Sequence, residues 1–200
     1  MSRQSSSNNL QKNIINSLAE MGVIEAQFDV IMKCVFDKDV LKGERPNYLS
    51  EYGLETVEFY LSTNPGLQPR PLAQVASGGE LSRLLLALKE AVPIIESEAT
   101  IIFDEIDTGV SGKIARLVGK KLKHLAARRQ LFAITHLPQI ASLADHHLKV
   151  TKRNEKGGTI SEINELNGDA RRHELAVLLS GGSITEDAMK QADNLIQNIG

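Results

Sequence analysis

The sequence predicts an α/β fold in which buried parallel strands are flanked by helices, with a β-hairpin at the periphery. Three observations predict it. Residues 100–103 (Thr-Ile-Ile-Phe) form a short apolar run that ends in the adjacent acids Asp104 and Glu105, the pattern of a strand buried on both faces of a parallel sheet. A second run, Gln130-Leu131-Phe132-Ala133-Ile134, ends in Thr135 and His136 and follows the first by roughly 30 residues, the length of one strand-helix-strand unit. Between them Ile114, Leu117, Val118, Leu122 and Leu125 recur at helical spacing and would face the sheet. A right-handed crossover then brings Asp104, Glu105 and His136 to one sheet edge.

The elements follow in chain order. After a polar, serine-rich start at residues 1–9, Leu10, Ile14, Ile15, Leu18 and Met21 mark an amphipathic helix that stops at Gly22. Residues 26–36 and 54–62 read as strands, the second leading into a loop stiffened by Pro65, Pro69 and Pro71. Cys34 sits in an apolar run and reads as buried packing. Ser77 with Glu80 is a capping box, and Leu81, Leu84, Leu85, Leu88 and Val92 continue at helical spacing, so a helix starts here. Gly78 and Gly79 leave its first N–H groups uncovered, and those groups with the helix dipole attract a phosphate. An ordinary capped helix with a flexible entry is the competing reading. Residues 148–152 and 159–164 read as a hairpin around Glu155-Lys156-Gly157-Gly158, and helices over about residues 169–180 and 184–198 close the chain. Leu179-Ser180-Gly181-Gly182 reads as a glycine stop between them.

Ligands of open α/β sheets collect outside the carboxyl ends of the strands. Asp104 is suited there to hold Mg²⁺, directly or through water, and Glu105, on the other side of the pleat, to polarise a water that attacks a terminal phosphate. This is the arrangement of a Walker B element. The alternative is that two acids cap a strand and begin a solvated loop. His136 can hydrogen-bond the terminal phosphate or hold Glu105 and the water in register; a lone histidine at a strand end can equally be structural.

The segments V-A-S-G-G-E-L-S-R at 75–83, I-I-F-D-E-I-D-T-G-V-S-G at 101–112 and T-H-L-P-Q-I-A at 135–141 resemble the carboxyl-terminal lobe of an ABC-type ATPase head of the SMC-like kind. Within that superfamily the chain is similar to RecN-like DNA repair proteins, as are its T-N-P-G at 63–66 and E-L-A-V-L-L-S-G-G at 174–182. The resemblance runs from about residue 10 to the end. It implies that Ser77, Gly78 and Gly79, with Glu80, form the signature motif that touches the γ-phosphate bound by an opposite head. It further implies that Asp104 and Glu105 are the Walker B pair, with Asp104 toward Mg²⁺, and that His136 is the switch histidine. ATP and Mg²⁺ as cofactors, a head-to-head dimer, DNA as partner and a role in double-strand break repair and recombination follow from the same likeness. So does a cytoplasmic, nucleoid-associated location. In such proteins the P-loop lies in an amino-terminal lobe beyond a coiled coil, so residues 1–22 would be the root of the returning arm and 23–200 the lobe itself. A short docking helix with a disordered tail is the other reading of residues 1–22. Where transporters carry a D-loop aspartate, Asp107-Thr108-Gly109-Val110-Ser111-Gly112 places Ser111, which leaves the cross-dimer role of Asp107 and Ser111 open.

No G-x-x-x-x-G-K-[ST] occurs in the sequence, so the backbone cradle and lysine that grip the β- and γ-phosphates are missing. Gly109-Val110-Ser111-Gly112-Lys113-Ile114 has its glycines too close and no hydroxyl for Mg²⁺, and reads as a turn entering a helix. The chain is therefore expected neither to bind ATP tightly nor to hydrolyse it alone. The competing function class is a non-enzymatic truncated head that serves as a protein- or DNA-interaction module.

Bulk properties narrow the field. Two hundred residues with 42% hydrophobic content can bury one or two cores, and one compact unit is expected. A single cysteine excludes an intrachain disulfide framework, and no apolar run approaches a membrane span, so no membrane partner is expected. The net charge of −2 excludes a broadly cationic nucleic-acid binder. Lys113, Arg116, Lys120 and Lys123 nevertheless recur at helical spacing; they either contact DNA phosphates or form a solvated face, and no aromatic residues interleave to stack on bases. His146-His147 and His173-Glu174 have no third ligand at workable spacing, so no structural metal is assigned.

Overall fold

The computed structural model describes residues 2–34, 55–75, 77–92, 99–155 and 158–197. Contacts divide the chain into two compact units, residues 1–93 and 94–200, where the sequence led us to expect one.

In the first unit, helix α1 (Arg3–Glu20) begins earlier than its apolar pattern does, because Ser2 caps it: the Ser2 Oγ accepts from the Ser5 N–H at 3.3 Å. Gln4 and Asn8 bond one turn apart at 3.2 Å, so the polar start is helical. Strand β1 (Gln27–Cys34) pairs antiparallel with β2 (Glu55–Ser62), from Gln27 opposite Ser62 to Cys34 opposite Glu55. A short third strand that the sequence did not announce, β3 (Arg70–Pro71), pairs with β2 where the proline loop runs back. Side chains alternate along a strand, which puts Phe28, Val30 and Met32 on one face opposite Leu61, Phe59 and Val57. Helix α1 buries Ile14 and Leu18, and Met21 at its C-cap is buried too; Gln11 of the helix donates to the Phe28 carbonyl and to Asp29 Oδ1, each at 3.2 Å. The expected continuation of the first strand over residues 35–36, the expected start of the second at residue 54 and the burial of the Cys34 side chain lie outside the described residues.

Helix α2 (Gly78–Ala91) is capped by Ser77 as expected, but its buried stripe is offset from the predicted one. Gly79, Arg83, Leu84, Leu86 and Ala87 are buried, while Leu81, Leu85 and Val92 are exposed. The helix is apolar on more than one side, so periodicity alone did not choose the inward face. Ser17 of α1 donates to Glu90 of α2 at 2.8 Å.

In the second unit, β4 (Ile101–Phe103) and β5 (Leu131–Ala133) are parallel, with Ile101 opposite Leu131 and Phe103 opposite Ala133. They are joined by α3 (Gly112–Ala126), which buries Ala115, Val118, Leu122 and Leu125. Helix α4 (Pro138–Ala141) crosses α3 at Gly119, where a Cβ would meet the Leu143 side chain at 2.7 Å and the Ile140 backbone at 3.3 Å. The strand pair is not buried on both faces. Ile101 and Phe103 point inward, but Ile102, Phe132 and Ile134 are 64%, 41% and 57% exposed. They form an apolar face left open among the described residues of this unit, because the sheet alternates and α3 protects one side only.

The hairpin β6 (His147–Glu155) and β7 (Gly158–Leu166) is longer than predicted, and its turn at residues 156–157 lies outside the described residues. Helices α5 (Gly168–Ser180) and α6 (Glu186–Gln197) pack Leu175, Ala176, Ala188 and Ala192 with Ala141. Gly181 ends α5 in the left-handed conformation, φ 71°, the glycine stop that the sequence indicated. Arg172 grips Asp193 across the two helices at 2.5 and 2.7 Å, which holds the carboxyl below its ordinary range.

His147, at the start of β6, gives this unit a pH dependence. Burial first, and the Arg171 charge second, hold its imidazole below the ordinary histidine value of 6.5; Glu174 opposes and Lys149 adds to the lowering. Its Nδ1 is buried with no hydrogen-bond partner among the described residues. As pH falls through 6.5 the unfolded chain takes up this proton before the folded chain does. The contribution of His147 is thus complete above that value and diminishes below it. Denaturant midpoints should fall on acidification from neutrality toward the folded value, and fall less in His147→Gln. Equal slopes for the two chains would refute the assignment.

Candidate functional site

Strand β4 stops after Phe103 because the backbone turns sharply. Asp104 Oδ1 accepts from the Glu105 N–H at 2.9 Å, and Glu105 adopts φ 57°. The Thr108 N–H then donates to the Glu105 carbonyl at 3.1 Å and the Val110 N–H to the Asp107 carbonyl at 3.3 Å. These turns expose Asp104 and Glu105 and drive Ile106 and Asp107 into the unit, Asp107 to 5% exposure.

The neighbouring strand meets that carboxylate. The Ile134 N–H donates to the Phe103 carbonyl at 2.9 Å, one step beyond the β4–β5 ladder, so Thr135 and His136 emerge beside the turn. Thr135 Oγ1 donates to Asp107 Oδ2 at 2.6 Å and accepts from the Leu137 N–H at 3.0 Å. The His136 N–H donates to the same Oδ2 at 2.9 Å, and His136 Nδ1 lies 3.0 Å from it. The His136 side chain is otherwise 76% exposed. One buried oxygen therefore clasps the end of β5 to the turn after β4.

The structure thus sets Asp104, Glu105 and His136 at one carboxyl edge of the strand pair. The residue in hydrogen-bond contact with His136 is Asp107, which sequence reasoning left as an open D-loop position. Thr135 reads in the sequence as part of the strand end and of the T-H-L-P-Q-I-A segment, with no role of its own; the available signal was a hydroxyl residue directly before a histidine at a strand end. Ser111 instead opens α3 as its N-cap residue.

Residues 77–83 belong to the first unit. The Ser77 Oγ accepts from the Glu80 N–H at 3.4 Å, while the Glu80 carboxylate accepts from Thr63 Oγ1 at 2.8 Å, tying the T-N-P-G loop to the helix start. Ser77 is half-buried, Gly78 exposed and Gly79 buried. Burial pushes the Arg83 guanidinium down from its ordinary value, and the Glu80 charge offsets part of this.

The basic set divides. Lys113 and Lys120 are exposed on α3, Arg116 is half-buried, and Lys123 is ion-paired with Asp145. Residues 108–144 hold seven Lys and Arg and no Asp or Glu, against a net charge of −2 for the whole chain. Among the described residues no three His, Cys, Asp or Glu side chains gather as a metal-binding group, and no helix is long and apolar enough to cross a membrane.

No family model matches the chain. Over 158 residues, 79% of its length, it is 40% identical to the DNA repair protein RecN of Halalkalibacterium halodurans. Over 195 residues, 98% of its length, it is 38% identical to that of Haemophilus influenzae. The chain belongs to the RecN family. A RecN from Xylella fastidiosa is 44% identical over 147 residues. The chain spans 28%, 33% and 26% of the length of these three RecN proteins, respectively. Among solved structures it is similar to an Smc head domain with a coiled coil and joint from Pyrococcus yayanosii, with a TM-score of 0.53 and 15% identity over 87% of this chain and 29% of that one. This RecN-family chain therefore has the fold of part of an SMC-type head.

Proposed function

We propose that the chain is the carboxyl-terminal half of an SMC-like ATPase head that acts in DNA double-strand break repair and recombination. ATP binding would engage two such heads and hydrolysis would release them. The observation that carries this reading is the single sheet edge holding Asp104, Glu105 and the clasped His136.

The residues fit Mg²⁺ and a nucleotide in a limited sense. Asp104 is exposed at a strand end, and Mg²⁺ is ordinarily held by one or two carboxylates plus substrate phosphates rather than by an all-protein cage. Bound Mg²⁺ and ATP would supply the phosphoryl group and the neutralising charge. The chain's own part is placement and electrostatics. Asp104 holds the cation, Glu105 takes a proton from the attacking water, and His136 keeps that water or a phosphate oxygen in register. Ser77, Gly78, Gly79 and Glu80 form the helix start offered to a nucleotide on the opposite head. Residues 1–22 form the root of a coiled-coil arm and 23–200 the lobe, and the protein acts in the cytoplasm at the nucleoid.

The missing phosphate cradle requires an amino-terminal P-loop lobe as partner. Calorimetry with ATP and Mg²⁺ should show no tight binding by this chain alone, and ATPase activity should appear when it is mixed with a RecN-family P-loop lobe. The absent P-loop also favours a second reading, a non-enzymatic interaction module. Failure to recover activity at any mixing ratio would select it and reject the first.

The acid-free stretch around α3 supports DNA as a partner, with Lys113, Arg116, Lys120 and Lys123 toward the phosphates. Replacing Lys113 and Lys120 by Glu should weaken binding to duplex DNA in an anisotropy titration and flatten its salt dependence by about one unit of slope per cation. Unchanged affinity and slope would leave α3 with a merely solvated face.

A further inference from the structure

Resting on the proposed ATPase reading, we infer that Asp107 is a positioning residue that locks His136 as the tautomer protonated at Nδ1, so that Nε2 is its working nitrogen. Two hydrogen bonds and one ring nitrogen converge on a single oxygen. Asp107 Oδ2 receives the Thr135 hydroxyl at 2.6 Å and the His136 N–H at 2.9 Å, and stands 3.0 Å from His136 Nδ1. The direction of the first bond is fixed by its neighbour: Thr135 Oγ1 already accepts from the Leu137 N–H at 3.0 Å, so its own proton points to Asp107. A carboxylate oxygen accepts and does not donate. The ring nitrogen that faces it must therefore carry the proton.

Which nitrogen of a histidine works is set by the bond that the other one makes. With Nδ1–H held inward, the neutral ring keeps its lone pair on Nε2, across the ring from Asp107, on a side chain that is 76% exposed. Nε2 can then accept a hydrogen bond from a water, or hold a proton for a phosphate oxygen while the Asp107 charge balances the imidazolium. The burial of Asp107 matters to this role. At 5% exposure its oxygen is shielded from competing water, so the orientation of the ring is imposed by this carboxylate rather than by solvent. The bond from the His136 N–H to the same oxygen fixes the backbone as well as the ring, so neither can drift from the strand edge independently.

The test is nitrogen-15 NMR of the imidazoles in the 200-residue chain at about pH 8, above the ordinary histidine range. His136 is identified by its loss in His136→Gln. The unaltered chain should show His136 with a protonated Nδ1 and a bare Nε2. In Asp107→Ala the ring should shift toward the Nε2–H form that free imidazole favours. In Asp107→Asn, which preserves size and folds if the alanine variant does not, both forms should be populated. Thr135→Val disturbs the same cluster but spares the carboxylate, and should leave the tautomer unchanged. An Nε2–H form in the unaltered chain, or an undiminished Nδ1–H form in both Asp107 variants, would overturn the inference.

This readout needs neither nucleotide nor partner, so its failure is distinct from failure of the ATPase reading. In the mixed lobes, Asp107→Ala should lower kcat on the order of tenfold or more and leave KM nearly unchanged. A rise in KM at constant kcat would mean that Asp107 serves binding alone and would reject the positioning role.

Discussion

Glu105→Gln should reduce ATP turnover by the assembled head by at least two orders of magnitude, roughly the value of a positioned general base. The substitution preserves the length and shape of the side chain, and residue 105 is exposed, so no core contact is lost. The bond from the backbone N–H at this position to Asp104 Oδ1 does not involve the side chain and should persist. What disappears is the ability to take a proton from water: an amide oxygen accepts a hydrogen bond but is far too weak a base to hold a proton at neutral pH. Steady-state turnover of the mixed lobes, with nucleotide affinity measured alongside, separates the effects. The expected outcome is lost turnover with binding retained. Turnover that survives the change would transfer water activation to another group and remove Glu105 from its proposed role.

The largest expected effect on stability is at Phe103. Its side chain is 1% exposed on β4, and Ile106, three residues on, is fully buried as well. Truncation to alanine removes most of an aromatic ring from a packed site and leaves a cavity, at a cost of about 3–5 kcal/mol. That is a large share of the roughly 5–15 kcal/mol that holds a typical domain together. The neighbouring residue supplies the control. Ile102 sits one position earlier on the same strand and faces outward, so Ile102→Ala should change the denaturant midpoint little. Equal losses at the two positions would show that both sides of the strand are packed, contrary to the alternation seen here.

That alternation shows what the residues disclosed and what they withheld. The two apolar runs, the crossover helix and the edge they create were legible, because each is a local pattern of period or punctuation: Asp104 and Glu105 end one run and His136 follows the other. An unbroken run such as Ile101-Ile102-Phe103 has no polar residue to mark its outer face, so both faces read as buried. The helix from Gly78 was legible through Ser77 and Glu80, yet its inward face was not, since leucines occur on several sides and tertiary packing alone selects among them. The clasp on Asp107 was the least legible. It joins residues 28 and 29 positions apart, and its carboxylate stands within a run of acids whose members look alike until the turn after Phe103 sends two outward and one inward. The early start of α1 was readable in principle from Ser2, but a serine-rich stretch offers several candidate caps and the apolar stripe begins only later.

The backbone at Glu105 bears on how this protein can be engineered. A left-handed φ of 57° at a residue with a Cβ is uphill by roughly 1–3 kcal/mol, and a long carboxylate lacks the short-range bonding that makes such angles easier for Asn or Asp. Glycine would occupy the same angles without that burden. A selection for heat tolerance alone, applied to this chain, would be drawn to position 105 and would reward a variant unable to accept a proton from water.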